Sequence, residues 1–259
     1  MKLQIMCMEC HKELSHPGFE FITTDYYEEA VGYITCSRGH KSAIVLQSLK
    51  FEILLESAAK ALLHGYTLEA ASSLSSAYER AIEFAILVLS RKLGIDSSLF
   101  TLTYKQMAKQ SERQIGAFLA MYSAVFKSEF NLSTKIPPKR NEIIHQGKIL
   151  NPTEVIQFGE LVYAEIKLIT DKLRTLDNDL MRDIIFETVN SRHLNLPSDL
   201  PRATTTGTTF FDLSRTDNPD TFFEALERLE EAERVFAEAQ PHLDLLAATL
   251  LALRPPTDK

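Results

Sequence analysis

The chain has 259 residues, 45% of them apolar and 24% charged, enough to bury a substantial core and to form more than one domain. Its formal charge of −7 excludes a protein coated in basic surface for bulk nucleic-acid binding, although a local positive site remains open. No apolar run approaches the roughly eighteen residues of a membrane span.

No charged-then-apolar start reads as a signal peptide, so the expectation is a cytoplasmic protein without contact to membrane. Three cysteines cannot all pair, and in a reducing compartment metal ligation is the better use for them.

Residues 1–42 read as a zinc-ribbon-like domain. Cys7 and Cys10 form one ligand pair, Cys36 and His40 a second, with twenty-five residues between Cys10 and Cys36. Gly18–Thr23 and Ala30–Thr35 are predicted strands joined by a turn at Thr24-Asp25. Two such pairs joined by a hairpin can present four donors tetrahedrally, which suits a structural Zn²⁺. His11 and His16 are alternatives to His40 as the fourth ligand. So short a domain has too little apolar surface to fold without a staple.

Residues 43–194 carry helical periodicity throughout. Helices are predicted over Ala43–His64, Leu68–Leu93 and Tyr104–Phe130, with Gly65 and Gly94 as stops. In the second of these, Leu68, Ala71, Leu74, Tyr78, Ile82, Ala85 and Leu89 follow one face. Ala77, Ala81, Phe84 and Val88 widen it, so this helix is expected at the centre. Tyr78 is then core, and Glu79 and Arg80 are solvated or face the segment near Arg140. Asn151-Pro152-Thr153-Glu154 has the cap, proline and glutamate of a helix start, and Val155 to Leu176 lines one face beyond it. A further helix runs from Asp177 or Asn178 to about His193. Short connections between long helices predict a mostly α fold, an up-and-down bundle.

Residues 195–219, with three prolines and a threonine-rich run, read as a linker on which Phe210 and Phe211 could dock to the bundle. Residues 220–259 form a C-terminal helix whose apolar residues approach a heptad seam, kinked or divided at Pro241. It packs either on its own bundle or at a subunit interface.

The stretch with chemistry is Lys139-Arg140-Asn141-Glu142-Ile143-Ile144-His145-Gln146-Gly147. On a helix Asn141 and His145 share a face, with Arg140 one step round. Imidazole moves protons near neutral pH, and guanidinium clamps phosphate oxygens with parallel donors. Lys135, Lys139 and Lys148 surround the motif and are candidate substrate-binding cations. The other reading of the same string is a helix-start arginine and a half-buried histidine bonded to a backbone carbonyl.

Arg140-Asn141-x3-His145, set between long amphipathic helices, resembles the motif of the HEPN family of helical ribonuclease domains, over residues 43–194. The resemblance implies a metal-independent endoribonuclease. Arg140, Asn141 and His145 would be catalytic, in a site shared by two protomers of a homodimer. It also implies RNA as substrate and a setting in RNA restriction, as a toxin or anti-phage effector with an antitoxin or defence-system partner protein. One toxin group carries a modifiable tyrosine two residues after the histidine, where this chain has Gly147. The alternative is a non-catalytic HEPN-like dimeric scaffold whose zinc ribbon recognises a partner or nucleic acid.

Overall fold

The computed structural model describes residues 2–14, 20–25 and 28–252. The protein is mostly helical (64%), with a small N-terminal sheet region and a C-terminal helix. The chain forms two compact units: Met1–Ser48, Glu187–Gly207 and Glu230–Lys259 make the first, and Leu49–Phe186 with Thr208–Leu229 the second.

In the first unit, β1 (Lys2–Met6) pairs antiparallel with β2 (Phe21–Asp25), in a register that sets Ile5 opposite Ile22. The short helix α1 (Met8–Leu14) follows β1. β3 (Val31–Thr35) pairs antiparallel with β4 (Lys41–Leu46), and β5 (Arg202–Thr205) adds parallel to the other edge of β4. The expected hairpin between the two ligand pairs is therefore replaced. Thr24 and Asp25 lie inside β2 and not in a turn, each strand takes a different partner, and Gly18 and Phe19 lie outside the described residues. Gly32 permits a close approach here, because a Cβ at that position would sit 2.8 Å from the Thr24 side chain.

The helix expected from Ala43 begins later. Residues 43–46 are a strand, and α2 spans Lys50–Leu63. The Ala-Ile-Val-Leu run is buried on both faces: Ala43 and Val45 pack with Leu196, Val189 and Leu200, while Ile44 and Leu46 pack with Ile5, Ala30 and Ile34. A strand covered on both faces loses the alternation that would separate it from a helix.

The second unit is built around α3 (Thr67–Lys92), which packs against α2, α5 (Ser111–Phe126), α6 (Ile136–Gln146) and α7 (Pro152–Arg174). Fourteen of its residues are buried, among them Ala70, Ala71, Ala77, Ala81 and Ala85. Small side chains on several faces let neighbouring helices come close. α7 opens as read, with Asn151 Oδ1 accepting from Glu154 N (3.0 Å) and Glu154 Oε2 from Asn151 N (3.0 Å). The single helix expected over Tyr104–Phe130 is two, α4 (Ser97–Met107) and α5. Asp96 caps α4 by accepting from Ser98 N and Leu99 N. The break is held by buried Gln114, whose amide donates to Ala108 O (2.9 Å) and accepts from the Tyr104 hydroxyl (3.1 Å).

α8 (Asn178–Leu194) begins in this unit, where Ile184 is buried. The stretch expected as a linker is structured instead. It supplies β5, and Phe210 and Phe211 are fully buried against Tyr163 and Phe51. Carboxylates fix it: Glu56 accepts from Thr209 N (2.5 Å) and Phe210 N (3.3 Å), and Glu52 from Leu213 N (2.5 Å) and Leu49 N. Glu160 then accepts from Phe222 N (3.0 Å) and Phe223 N (2.8 Å), starting α9 (Phe222–Ala252). Pro241 lies inside α9 without dividing it.

Burial, partly offset by the bonds from Leu213 and Leu49, pushes the Glu52 carboxyl from 4.5 up to about 7. The folded state thus holds this proton more tightly than the unfolded chain. Its contribution to stability is complete below about pH 4.5 and is lost as pH rises through about 7. Thermal unfolding across pH 4–8 is expected to show a midpoint that falls over this window in the wild type and less steeply in Glu52→Gln.

Candidate functional site

α6 starts on Ile136-Pro137-Pro138, where the missing proline N–H groups cost nothing in a first helical turn. It ends at Gly147, which takes the left-handed conformation (φ 66°) with Gly147 N and Lys148 N both donating to Glu142 O. Its buried residues, Ile136 and Ile143, are seven apart and seat one face on α3 and α7. Asn141 and His145 stay exposed.

The Arg140 guanidinium gathers the motif. One terminal nitrogen forms an ion pair with Glu79 of α3. The other donates to Asn141 Oδ1 at 3.1 Å and lies 3.3 Å from His145 Nε2. Guanidinium is a donor only, so a hydrogen bond across this contact requires His145 Nε2 as the acceptor. Beside this group lies a mostly apolar cavity of about 60 Å³, lined by Tyr78, Ile82, Gln114, Ile115 and Pro137, with Arg140 and Asn141 at its edge. The Tyr78 hydroxyl and Glu165 Oε1 are buried without a hydrogen-bond partner among the described residues. Burial pushes both groups up, and the Glu165 charge adds to the rise at Tyr78.

Lys135 directly precedes α6 and is exposed, while Lys139 is half-buried on it. Lys148 bonds Glu142 at 2.7 Å, which lowers the Glu142 carboxyl and raises the Lys148 ammonium. Of the two alternatives left open for Glu79, solvated or facing the segment near Arg140, the second holds. The available signal was its place next to core Tyr78, on a helix with little solvent-facing surface.

The second cluster lies in the first unit. β1 delivers Cys7, the first turn of α1 delivers Cys10, and the β3–β4 turn delivers Cys36 and His40. That turn is tied by Cys36 N to His40 O (3.1 Å) and Gly39 N to Cys36 O (2.8 Å), with Gly39 at φ 84°. All four ligand atoms lie within 4.8 Å of one another. Cys10 Sγ is 3.7 Å from Cys36 Sγ and 3.4 Å from His40 Nδ1, and Cys7 Sγ is 3.8 Å from that nitrogen. A tetrahedron with Zn–S near 2.3 Å has S···S edges of about 3.8 Å, so this donor set fits a metal ion such as zinc. Burial, then hydrogen bonding to Cys36 and Cys7, pushes the Cys10 thiol up to about 12. Crowding thiolates there calls for the positive charge that a divalent cation supplies. His11 is outside the cluster, and His16 lies outside the described residues.

The purified chain is expected to carry one metal ion. Cys36→Ser should lower the metal content measured by elemental mass spectrometry and reduce the thermal stability of the first unit. An unchanged content would remove Cys36 from the ligand set. Comparison of the chain with models of protein families, with curated proteins and with solved structures finds no match.

Proposed function

We propose that the protein is a metal-independent endoribonuclease of the HEPN type, acting as a toxin or anti-phage effector at a composite site in a homodimer. The observation that carries this reading is the Arg140 guanidinium in reach of His145 Nε2 (3.3 Å) and Asn141 Oδ1 (3.1 Å) on an accessible helix face. His145 Nε2, its lone pair freed when Arg140 turns from it to the phosphate, takes the proton of a ribose 2′-hydroxyl as the oxygen attacks the adjacent phosphorus. The bond from phosphorus to the 5′-oxygen breaks as His145 of the partner subunit protonates that oxygen, leaving a 2′,3′-cyclic phosphate and a 5′-hydroxyl. Arg140 offsets charge that builds on the non-bridging oxygens, and Asn141 orients the guanidinium. Lys135 and Lys139 line the approach of the RNA backbone. A Zn²⁺ at Cys7, Cys10, Cys36 and His40 is structural, since all four positions are taken by protein.

The second reading is a non-catalytic dimeric scaffold that recognises a partner or nucleic acid through its zinc ribbon. It is favoured by one observation: Arg140 and Lys148 are already neutralised by Glu79 and Glu142.

Wild type, Arg140→Ala and His145→Ala, incubated with total RNA in EDTA, separate the two. The nuclease reading expects cleavage by wild type, with cyclic phosphate ends, and a loss of about 10²–10⁴-fold in His145→Ala. No cleavage by a folded, dimeric wild type would favour the scaffold.

A further inference from the structure

We propose that Glu13 is a positioning residue for the metal centre, holding His40 so that it ligates through Nδ1, and that Arg38 holds Glu13 in turn. The inference rests on the reading of Cys7, Cys10, Cys36 and His40 as ligands. His40 presents Nδ1 to the thiols, 3.4 Å from Cys10 Sγ and 3.8 Å from Cys7 Sγ. Its other nitrogen, Nε2, lies 2.9 Å from Glu13 Oε1. A neutral imidazole has one N–H. With the lone pair of Nδ1 given to a metal, that proton must sit on Nε2, and a carboxylate is the acceptor that best fixes it there. The second Glu13 oxygen accepts from the Arg38 guanidinium at 2.9 Å.

The sequence order makes this more than a surface ion pair. Arg38 and His40 flank Gly39 in the β3–β4 turn, while Glu13 lies on α1, three residues beyond Cys10. One carboxylate therefore joins the helix carrying one ligand to the turn carrying two others. Glu20 secures the same turn independently, accepting from Ser37 N (2.9 Å) and the Ser37 hydroxyl (2.7 Å). An ordinary exposed ion pair contributes little to stability and would leave metal binding untouched. A carboxylate bonded to a ligating histidine sets ring orientation and donor strength, and its loss costs about 10–100-fold in metal affinity.

The test uses the full chain in Zn²⁺ competition against a chromophoric chelator, with visible spectra of the Co²⁺-loaded protein as the second readout. Glu13→Ala is expected to weaken Zn²⁺ binding about 10–100-fold and to change the Co²⁺ ligand-field bands. Glu13→Gln, whose side-chain carbonyl can still accept from Nε2–H, should recover part of the affinity and keeps the test valid if the alanine variant does not fold. Glu9→Ala, on the same helix but paired with Lys12, should match wild type. Glu13→Ala or Glu13→Gln binding like wild type, or Glu9→Ala weakened to the same degree, would overturn the proposal. Failure of wild type to bind Zn²⁺ or Co²⁺ would instead remove the metal centre itself, and Glu13's role with it.

Discussion

The second unit depends on the near-complete burial of α3. A helix enclosed by α2, α5, α6 and α7 has little water available to its polar groups, and most of them take a partner within the protein, the Tyr78 hydroxyl being an exception among the described residues. Ser75 and Ser90 turn back to the carbonyls of Ala71 and Leu87. Glu79 cannot do this, since carboxylate oxygens only accept and the helix N–H groups around it are used. It takes the Arg140 guanidinium of α6, and the motif's geometry follows from that need. The pair is part-exposed, with side-chain accessibilities of 18% and 23%, so water screens it and its net contribution to stability is modest. Its consequence is orientational: with one nitrogen fixed by α3, the other is aimed along α6 at Asn141 and His145.

Features carried by local chemistry were legible in the sequence. The Asn151–Glu154 box specified the start of α7, the apolar stripe identified α3 as central, and Gly147 stopped α6 where a left-handed residue was needed. The three thiols were equally plain as candidate ligands, whereas the choice of His40 over His11 needed the structure, which groups it with Cys7, Cys10 and Cys36. What escaped depended on partners distant in sequence. β4 reads as helix until β5, some 160 residues on, is known to lie beside it. The break between α4 and α5 depends on Gln114 reaching back to Ala108, and nothing in the apolar spacing announces it. The docking of Phe210 and Phe211 was expected, but the proline- and threonine-rich stretch around them reads as linker and not as ordered backbone. Buried Glu52 and Glu56 anchor its backbone from α2, and nothing in the helical periodicity marks those two carboxylates.

The first unit follows a different logic. Its strands are short, and its apolar clusters hold only a few residues each. Ladders this small are marginal without a further constraint. The four candidate ligands come from the end of β1, the start of α1 and the β3–β4 turn, so a bound ion would join pieces that the hydrogen-bond ladders leave separate. That is the reason to treat the cluster as a structural centre, and it explains why its outer carboxylate joins helix to turn.

In the proposed reaction, proton accounting places a demand on how two copies would work together. The second unit contains two histidines, and His64 is bound through Nδ1 to Lys60 O at 2.8 Å, at the end of α2. In the reaction His145 of one copy serves as the base, so it cannot also protonate the departing 5′-oxygen in the same step. An acid supplied by a second copy's His145 must carry a proton on Nε2, and a protonated Nε2 cannot accept from Arg140. The Arg140–His145 contact must then be broken in both copies while the bond is cut, since the base needs its Nε2 lone pair and the acid has none to offer. A composite site of this kind is chemically asymmetric even when its two chains are identical, and the Glu79 pairing lets the freed guanidinium stay in place to meet the phosphate.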